Sequence, residues 1–191
     1  MKNYILVIGL GSMGKRRIRN LQALGITKII GVDLREDRIE ETRQEYKVVA
    51  SNNFDEVIAN YQVDALIISV PPKIHHIYMK RALDLSIPAF IEASVLDTDF
   101  ADMINQAKVK RVCLAPSCTL IFHPAISRIA DIINSGELGN ISNFLYHSGQ
   151  YLPDWHTYED VSEYYVSNKE TGGGREIVPF ELTWFTEIFG F

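Results

Sequence analysis

Cysteine is scarce in this 191-residue chain, which holds only Cys113 and Cys118, five positions apart. That spacing is neither C-x-x-C nor a zinc-ligand pattern, so neither a disulfide framework nor a zinc site underlies the fold, and reduced thiols in a cytoplasmic protein are expected. A basic excess is also missing. The formal net charge of −5 argues against a nucleic-acid-binding surface and offers no polybasic attraction to a membrane. No apolar run approaches the length of a membrane span, and because the chain enters an apolar strand at once, no signal peptide is expected. No cluster of His, Cys, Asp and Glu has metal-ligand spacing. Internal repeats and low-complexity tracts are absent too. A hydrophobic content of 47% remains, normal for a globular protein with a sizeable core.

What the chain does have is concentrated at its start. Tyr4 to Ile8 is a continuous apolar run, the pattern of a strand buried on both faces of a parallel sheet. Gly9, Gly11 and Gly14 follow at the G-x-G-x-x-G spacing, enclosing Ser12 and Met13, and Ile18, Leu21 and Leu24 then repeat at helical spacing. Each glycine has a physical role in dinucleotide binding. Gly9 permits a tight turn, Gly11 lets a pyrophosphate approach the backbone, and Gly14 lets helix and strand pack closely. Free N–H groups at the helix start would hold the phosphates. A second strand, Lys28 to Val32, ends in Asp33, nineteen residues beyond Gly14. An acid there accepts hydrogen bonds from the adenosine ribose and repels a 2′-phosphate, which favours NAD over NADP; Arg35 is either a group tolerating NADP or a solvated arginine. Lys15, Arg16, Arg17 and Arg19 either add phosphate attraction or form the solvent face of the first helix, and the solvent face is expected.

Strands continue to alternate with helices. Arg35 to Tyr46 suits a surface helix anchored by Ile39, Lys47 to Ala50 a short strand, and Asn53 a helix cap. Asp64 to Val70 is another buried strand, stopped by Pro71-Pro72; a helix through Ile77, Met79 and Leu83 follows, then strands at Pro88 to Glu92 and Arg111 to Ala115, with a helix over Thr98 to Lys108 between them. This alternation predicts an α/β Rossmann-type, doubly wound parallel sheet over residues 1–117. Residues 118–191 read as the start of a second, α+β domain. It holds a helix after His123-Pro124, a long strand over Ile141 to His147, a polar aromatic loop from Gln150 to Thr171, and a helix from Phe180 to Phe189. A single strand and two helices leave strand edges bare, so a fragment, a truncation or completion by a partner chain is expected.

In this order the motifs resemble the glucose–fructose oxidoreductase / inositol dehydrogenase family (Gfo/Idh/MocA). They are Gly9 to Gly14, Asp33, Val70-Pro71-Pro72 with His75, Phe90-Ile91-Glu92, Phe122-His123-Pro124-Ala125-Ile126, Ser135 to Ile141, and Gly172-Gly173-Gly174 before a helix ending Phe189-Gly190. The stretch Tyr146 to His156 is similar to a subgroup found among surface-glycan and nonulosonic-acid biosynthesis proteins. The resemblance implies an NAD(P)-dependent oxidoreductase for a sugar, inositol or related polyol, a cofactor site that includes Val70, Pro71, His75 and Glu92, and a homo-oligomer built through the second domain. Two departures stand out. The family's Glu-Lys-Pro motif reads Glu92-Ala93-Ser94, without its catalytic lysine, and the family's His and Asp on the later helix fall on Phe180 and Thr183. Proton transfer would then need other groups: His156 as an imidazole, unless it is a loop histidine stacked on Trp155; Tyr151, Tyr164 or Tyr165 as a tyrosine acid; and Glu181 in the last helix, which with Arg175 and Glu176 is alternatively a binder of an acidic or hydroxylated substrate. The alternative is a catalytically impaired NAD-binding protein, a sensor or assembly subunit.

Overall fold

The computed structural model describes residues 3–93, 96–149, 151–154, 160–163 and 165–190. The chain divides into two compact units, Met1–Ser117 and Cys118–Phe191.

Unit 1 is a six-stranded parallel sheet in the order β3-β2-β1-β4-β5-β6. Its strands are β1 (Asn3–Ile8), β2 (Ile29–Val32), β3 (Val49–Ser51), β4 (Gln62–Ile68), β5 (Ala89–Ile91) and β6 (Leu114–Pro116). The helices are α1 (Ser12–Ala23), α2 (Glu36–Tyr46), α3 (Phe54–Asn60), α4 (His75–Leu85) and α5 (Phe100–Lys110). Period-2 alternation along the central strands sends side chains to two separate cores. Leu6, Ile8, Ile30, Val32, Leu66 and Ile68 meet Val57, Met79, Leu83 and Met103 from α3, α4 and α5. Val7 and Ile29 face the other way, onto Ile18 and Leu21 of α1 and Ile39 and Tyr46 of α2. A sheet covered on both faces requires continuous apolar strands, which is why β1, β2 and β4 show no polar alternation at their buried ends. Asn53 caps α3 as expected, its side-chain oxygen accepting from the Glu56 N–H at 3.1 Å.

The strand order reverses direction between β1 and β4. Chain running outward from β1 goes to β2 and β3 on one side, and β4, β5 and β6 extend the other side. In open parallel sheets a ligand crevice forms outside the carboxyl ends of the strands at such a reversal.

Unit 2 contains α6 (Pro124–Asn134) and α7 (Gly174–Phe189) with short 3-10 turns. His123 starts α6, its ring Nδ1 accepting from the Ala125 N–H at 3.2 Å. Two expectations are corrected here. Residues 141–147 form no strand; Phe144 stacks on Phe189 at 4.4 Å and Tyr146 packs edge-on to Trp184, while Leu145 is 95% exposed. Side chains thus alternate as in a strand, but the described residues of unit 2 supply no second strand for a hydrogen-bond ladder. The last helix also begins at Gly174, six residues before Phe180, and carries Pro179 within it. Gly173, at φ 61°, turns the chain into its first turn. Among the described residues no helix is long and apolar enough to cross a membrane.

Candidate nucleotide site

The crevice is built where β1 ends. Gly9 lies at φ +89°, and its N–H donates to the Val32 carbonyl at 2.7 Å, closing the turn against β2. The Ser69 N–H donates to the Ile8 carbonyl at 2.8 Å, and the Glu92 N–H to the Ile68 carbonyl at 3.0 Å. These bonds line up the ends of β2, β1, β4 and β5 side by side.

α1 starts immediately after the turn with Gly11 as its N-cap residue. No side chain caps it and its first turn holds no acid. The amino end of a helix carries unpaired N–H groups and about half a positive charge, so an uncapped start on a twelve-residue helix suits an anion. Space permits one. A Cβ placed on Gly11 would meet only the Arg38 guanidinium, at 3.6 Å, whereas one on Gly14 would lie 1.8 Å from the Gly9 carbonyl oxygen. Gly14 therefore serves helix–strand contact, and Gly11 leaves room above the amides. The residues present fit a dinucleotide.

Asp33 stands at the end of β2. Its Oδ2 accepts from the Leu10 N–H at 2.7 Å and its Oδ1 from the Arg35 N–H at 2.9 Å. Each oxygen keeps a second lone pair for a ribose hydroxyl. Arg35 turns away from the site. Its guanidinium forks onto Asp37 at 3.0 and 2.6 Å and pulls the Asp37 carboxyl down to about 2. The cation beside the acid is Arg38, its Nη1 3.6 Å from Asp33 Oδ2. Sequence reasoning missed it, although a residue one turn into α2 naturally lies over the end of β2.

Glu92 closes the β5 side. Its carboxylate is gripped by Arg17, with Nε–Oε1 at 2.5 Å and Nη2–Oε2 at 2.7 Å, and the Ser69 hydroxyl donates to Oε1 at 3.3 Å. Arg17 is corrected accordingly: its side chain is 14% exposed and does not belong to the solvent face of α1. Lys15 is also largely covered and pairs with Glu41, whereas Arg16 and Arg19 are exposed.

His75 is 1% exposed and begins α4. Its Nε2–H donates to the Val70 carbonyl at 2.7 Å, fixing the Val70-Pro71 turn, and Nδ1 has no hydrogen-bond partner among the described residues. Burial pushes the imidazole below its ordinary 6.5. The unfolded chain thus takes up a proton near 6.5 that the folded chain resists, so stability is full above that pH and falls as pH drops below it. Thermal melts between pH 8 and pH 5.5 should show this loss, and His75→Gln should flatten it. Parallel curves for the two proteins would assign the titration to another group.

The expected proton-transfer residues belong to unit 2. Tyr151 is 70% exposed. Glu181 accepts from the Trp184 indole N–H at 2.7 Å, within α7. His156 lies outside the described residues. Phe180 and Thr183 are joined by a bond from the threonine hydroxyl to the Phe180 carbonyl at 2.8 Å. No group of three or more metal-ligating side chains occurs among the described residues.

The fold has many solved counterparts. Myo-inositol 2-dehydrogenase from Lactobacillus plantarum is 20% identical with a TM-score of 0.67; the match covers 72% of this chain and 42% of that one. The WlbA dehydrogenase from Bordetella pertussis, solved with NADH and UDP-GlcNAcA, is 15% identical with a TM-score of 0.65, over 73% of this chain and 42% of that one. At these identities the likeness is one of fold. A relative from Arabidopsis thaliana, named probable glutamyl-tRNA reductase 3, chloroplastic, is 27% identical over 129 residues, 58% of this chain and 25% of its own length. The chain thus spans about four-tenths of the two dehydrogenases and a quarter of the plant protein. Residues 4–117, which hold the glycine turn, Asp33, His75 and Glu92, match the model of the GFO_IDH_MocA oxidoreductase family with its NAD-binding Rossmann fold, and the chain belongs to that family.

Proposed function

We propose that this chain is the nucleotide-binding portion of an NAD-linked oxidoreductase that moves a hydride to or from a carbinol carbon of a sugar or sugar-derived substrate. The observation that carries this reading is the uncapped amino end of α1 above Gly11, with the Asp33 carboxylate at the end of the neighbouring strand. When bound, the nicotinamide supplies the hydride chemistry. The chain's own residues bind and orient: the α1 amides take the pyrophosphate, Asp33 takes adenosine ribose hydroxyls, and Val70, Pro71 and Glu92 form the wall on the other side of the turn. NAD is favoured because a 2′-phosphate would meet the Asp33 charge, with Arg38 partly offsetting it. The names of the two dehydrogenases support a polyol or sugar-nucleotide substrate. His156, Tyr151 and Glu181 are the proposed proton-transfer groups, in a cytoplasmic homo-oligomer.

A second reading is favoured by one specific feature. Ala93 stands where the resemblance calls for a lysine, and Phe180 has no proton to pass. On that reading the protein binds NAD without turnover, as a sensor or an assembly subunit. Titrating the purified chain with NADH should give a saturable change in nicotinamide fluorescence, weakened about tenfold in Asp33→Ala by loss of charge-assisted hydrogen bonds. No change at millimolar NADH would sink both readings. Oxidation of NADH or reduction of NAD in the presence of a sugar substrate, lost in His156→Ala or Tyr151→Phe, separates the enzyme from the sensor.

A further inference from the structure

The Arg17–Glu92 pair is tied more tightly than a surface ion pair. Both of its N–H···O bonds are short, 2.5 and 2.7 Å, and the two side chains are 14% and 13% exposed. The Arg17 guanidinium also lies over the Phe90 ring, 4.8 Å from its centroid. A planar fork held on one face by an aromatic ring and at its edge by a carboxylate has little freedom left. The pair joins α1, whose amino end faces the pyrophosphate, to the end of β5, which is 75 residues away in sequence.

The topology says which half of a dinucleotide this tie serves. With the pyrophosphate over the β1–α1 turn and the adenosine ribose on Asp33 of β2, the second nucleoside extends the opposite way, over β4 and β5. Ser69 backs directly against the glycine turn: a Cβ on Gly9 would lie 2.5 Å from its carbonyl oxygen. Its hydroxyl then reaches Glu92. Ser69, Glu92 and Arg17 therefore form a continuous polar layer from the turn outward along the nicotinamide side. Arg17 uses one lone pair on each Glu92 oxygen and holds the plane of the carboxylate fixed; with the Ser69 hydroxyl also on Oε1, one lone pair, on Oε2, is left for a ribose hydroxyl.

We propose that Arg17 is a positioning residue for Glu92 and that this pair selectively sets affinity for the nicotinamide-ribose half of the cofactor. The inference rests on the nucleotide-binding reading above. It is tested on the 191-residue chain with two probes, NADH and ADP-ribose, the second lacking the nicotinamide nucleoside. Arg17→Met should weaken NADH binding by about tenfold or more, as expected on removing one partner of a largely buried bidentate pair, while ADP-ribose binding changes by less than about twofold. Arg17→Lys, which keeps the charge but not the fork, should recover part of the loss. Glu92→Gln, close to isosteric, should show the same selective loss and decides the matter if Arg17→Met does not fold. The double variant should be little worse than the weaker single variant, because both remove one interaction. Equal loss of both ligands, or no loss of NADH, overturns the proposal by making the pair a support for α1 or a bystander. Failure of the unmodified chain to bind either probe would instead overturn the nucleotide-binding reading itself.

Discussion

Gly14→Ala is expected to unfold or severely destabilise unit 1 and to abolish NADH binding with it. The added Cβ would lie 1.8 Å from the Gly9 carbonyl oxygen and 2.8 Å from the Gly9 carbonyl carbon. Both obstacles are backbone, so no rotamer change relieves them. α1 would have to move off β1, and it cannot do so cheaply. Ile18, fully buried, and Leu21 on the same face fill the core between α1, α2 and the sheet. Overpacking typically costs 1–3 kcal/mol, and about 3 kcal/mol or more is expected where the clash is with main chain. Against a total stability of about 5–15 kcal/mol, that is a large share. Calorimetry or circular dichroism should show the melting temperature falling by about 10 °C or more. A Gly14→Ala protein that melts within a degree or two of the parent would show that α1 does not pack as described.

Gly11→Ala should do the reverse, sparing the fold and damaging the site. Gly11 has φ −71° in an extended conformation that alanine adopts freely, and its Cβ would make only ordinary contact with Arg38 at 3.6 Å. Stability should change by less than about 1 kcal/mol, with a small gain possible through a less flexible unfolded chain. The methyl group, however, stands in the space a phosphate oxygen must cross to reach the α1 amides. Losing one charge-assisted hydrogen bond costs about 1.5–3 kcal/mol, which is about 10- to 100-fold in Kd. Paired melting and NADH titration on the same sample decide it. Unchanged NADH affinity in a protein that melts normally would remove the phosphate from this position. Two alanines three residues apart thus separate packing from binding, which a glycine motif by itself does not.

The order of strands and helices in unit 1 was legible because its cause is local. Continuous apolar runs at Tyr4–Ile8 and at Ala65–Ile68 report burial on both faces, and Asn53 and the Pro71-Pro72 pair mark ends by short-range chemistry. The glycine turn and Asp33 were legible for the same reason: their spacing encodes one strand–turn–helix–strand unit. Arg17 escaped. Its partner, Glu92, lies 75 residues further along, beyond β5, and nothing near residue 17 distinguishes it from Arg16 or Arg19, which are exposed. Arg38 escaped too, because Arg35 is closer to Asp33 in sequence while its guanidinium is drawn outward by Asp37. The stretch at 141–147 shows the opposite failure. Its residues alternate as a strand's do, but a strand exists only with a neighbour, and the described part of unit 2 offers none.

The sequence by itself determined the doubly buried strands, the turn that bends around Gly9, the acid at the end of β2 and the family to which these motifs point. All of these rest on hydrophobic periodicity or on backbone conformations that few residues adopt. Only the tertiary structure decided which glycine packs and which leaves space, which arginine faces Asp33, and that Glu92 is held by α1. Those are contacts between elements distant in sequence, and they depend on how strands align side by side, a relation that no local pattern carries.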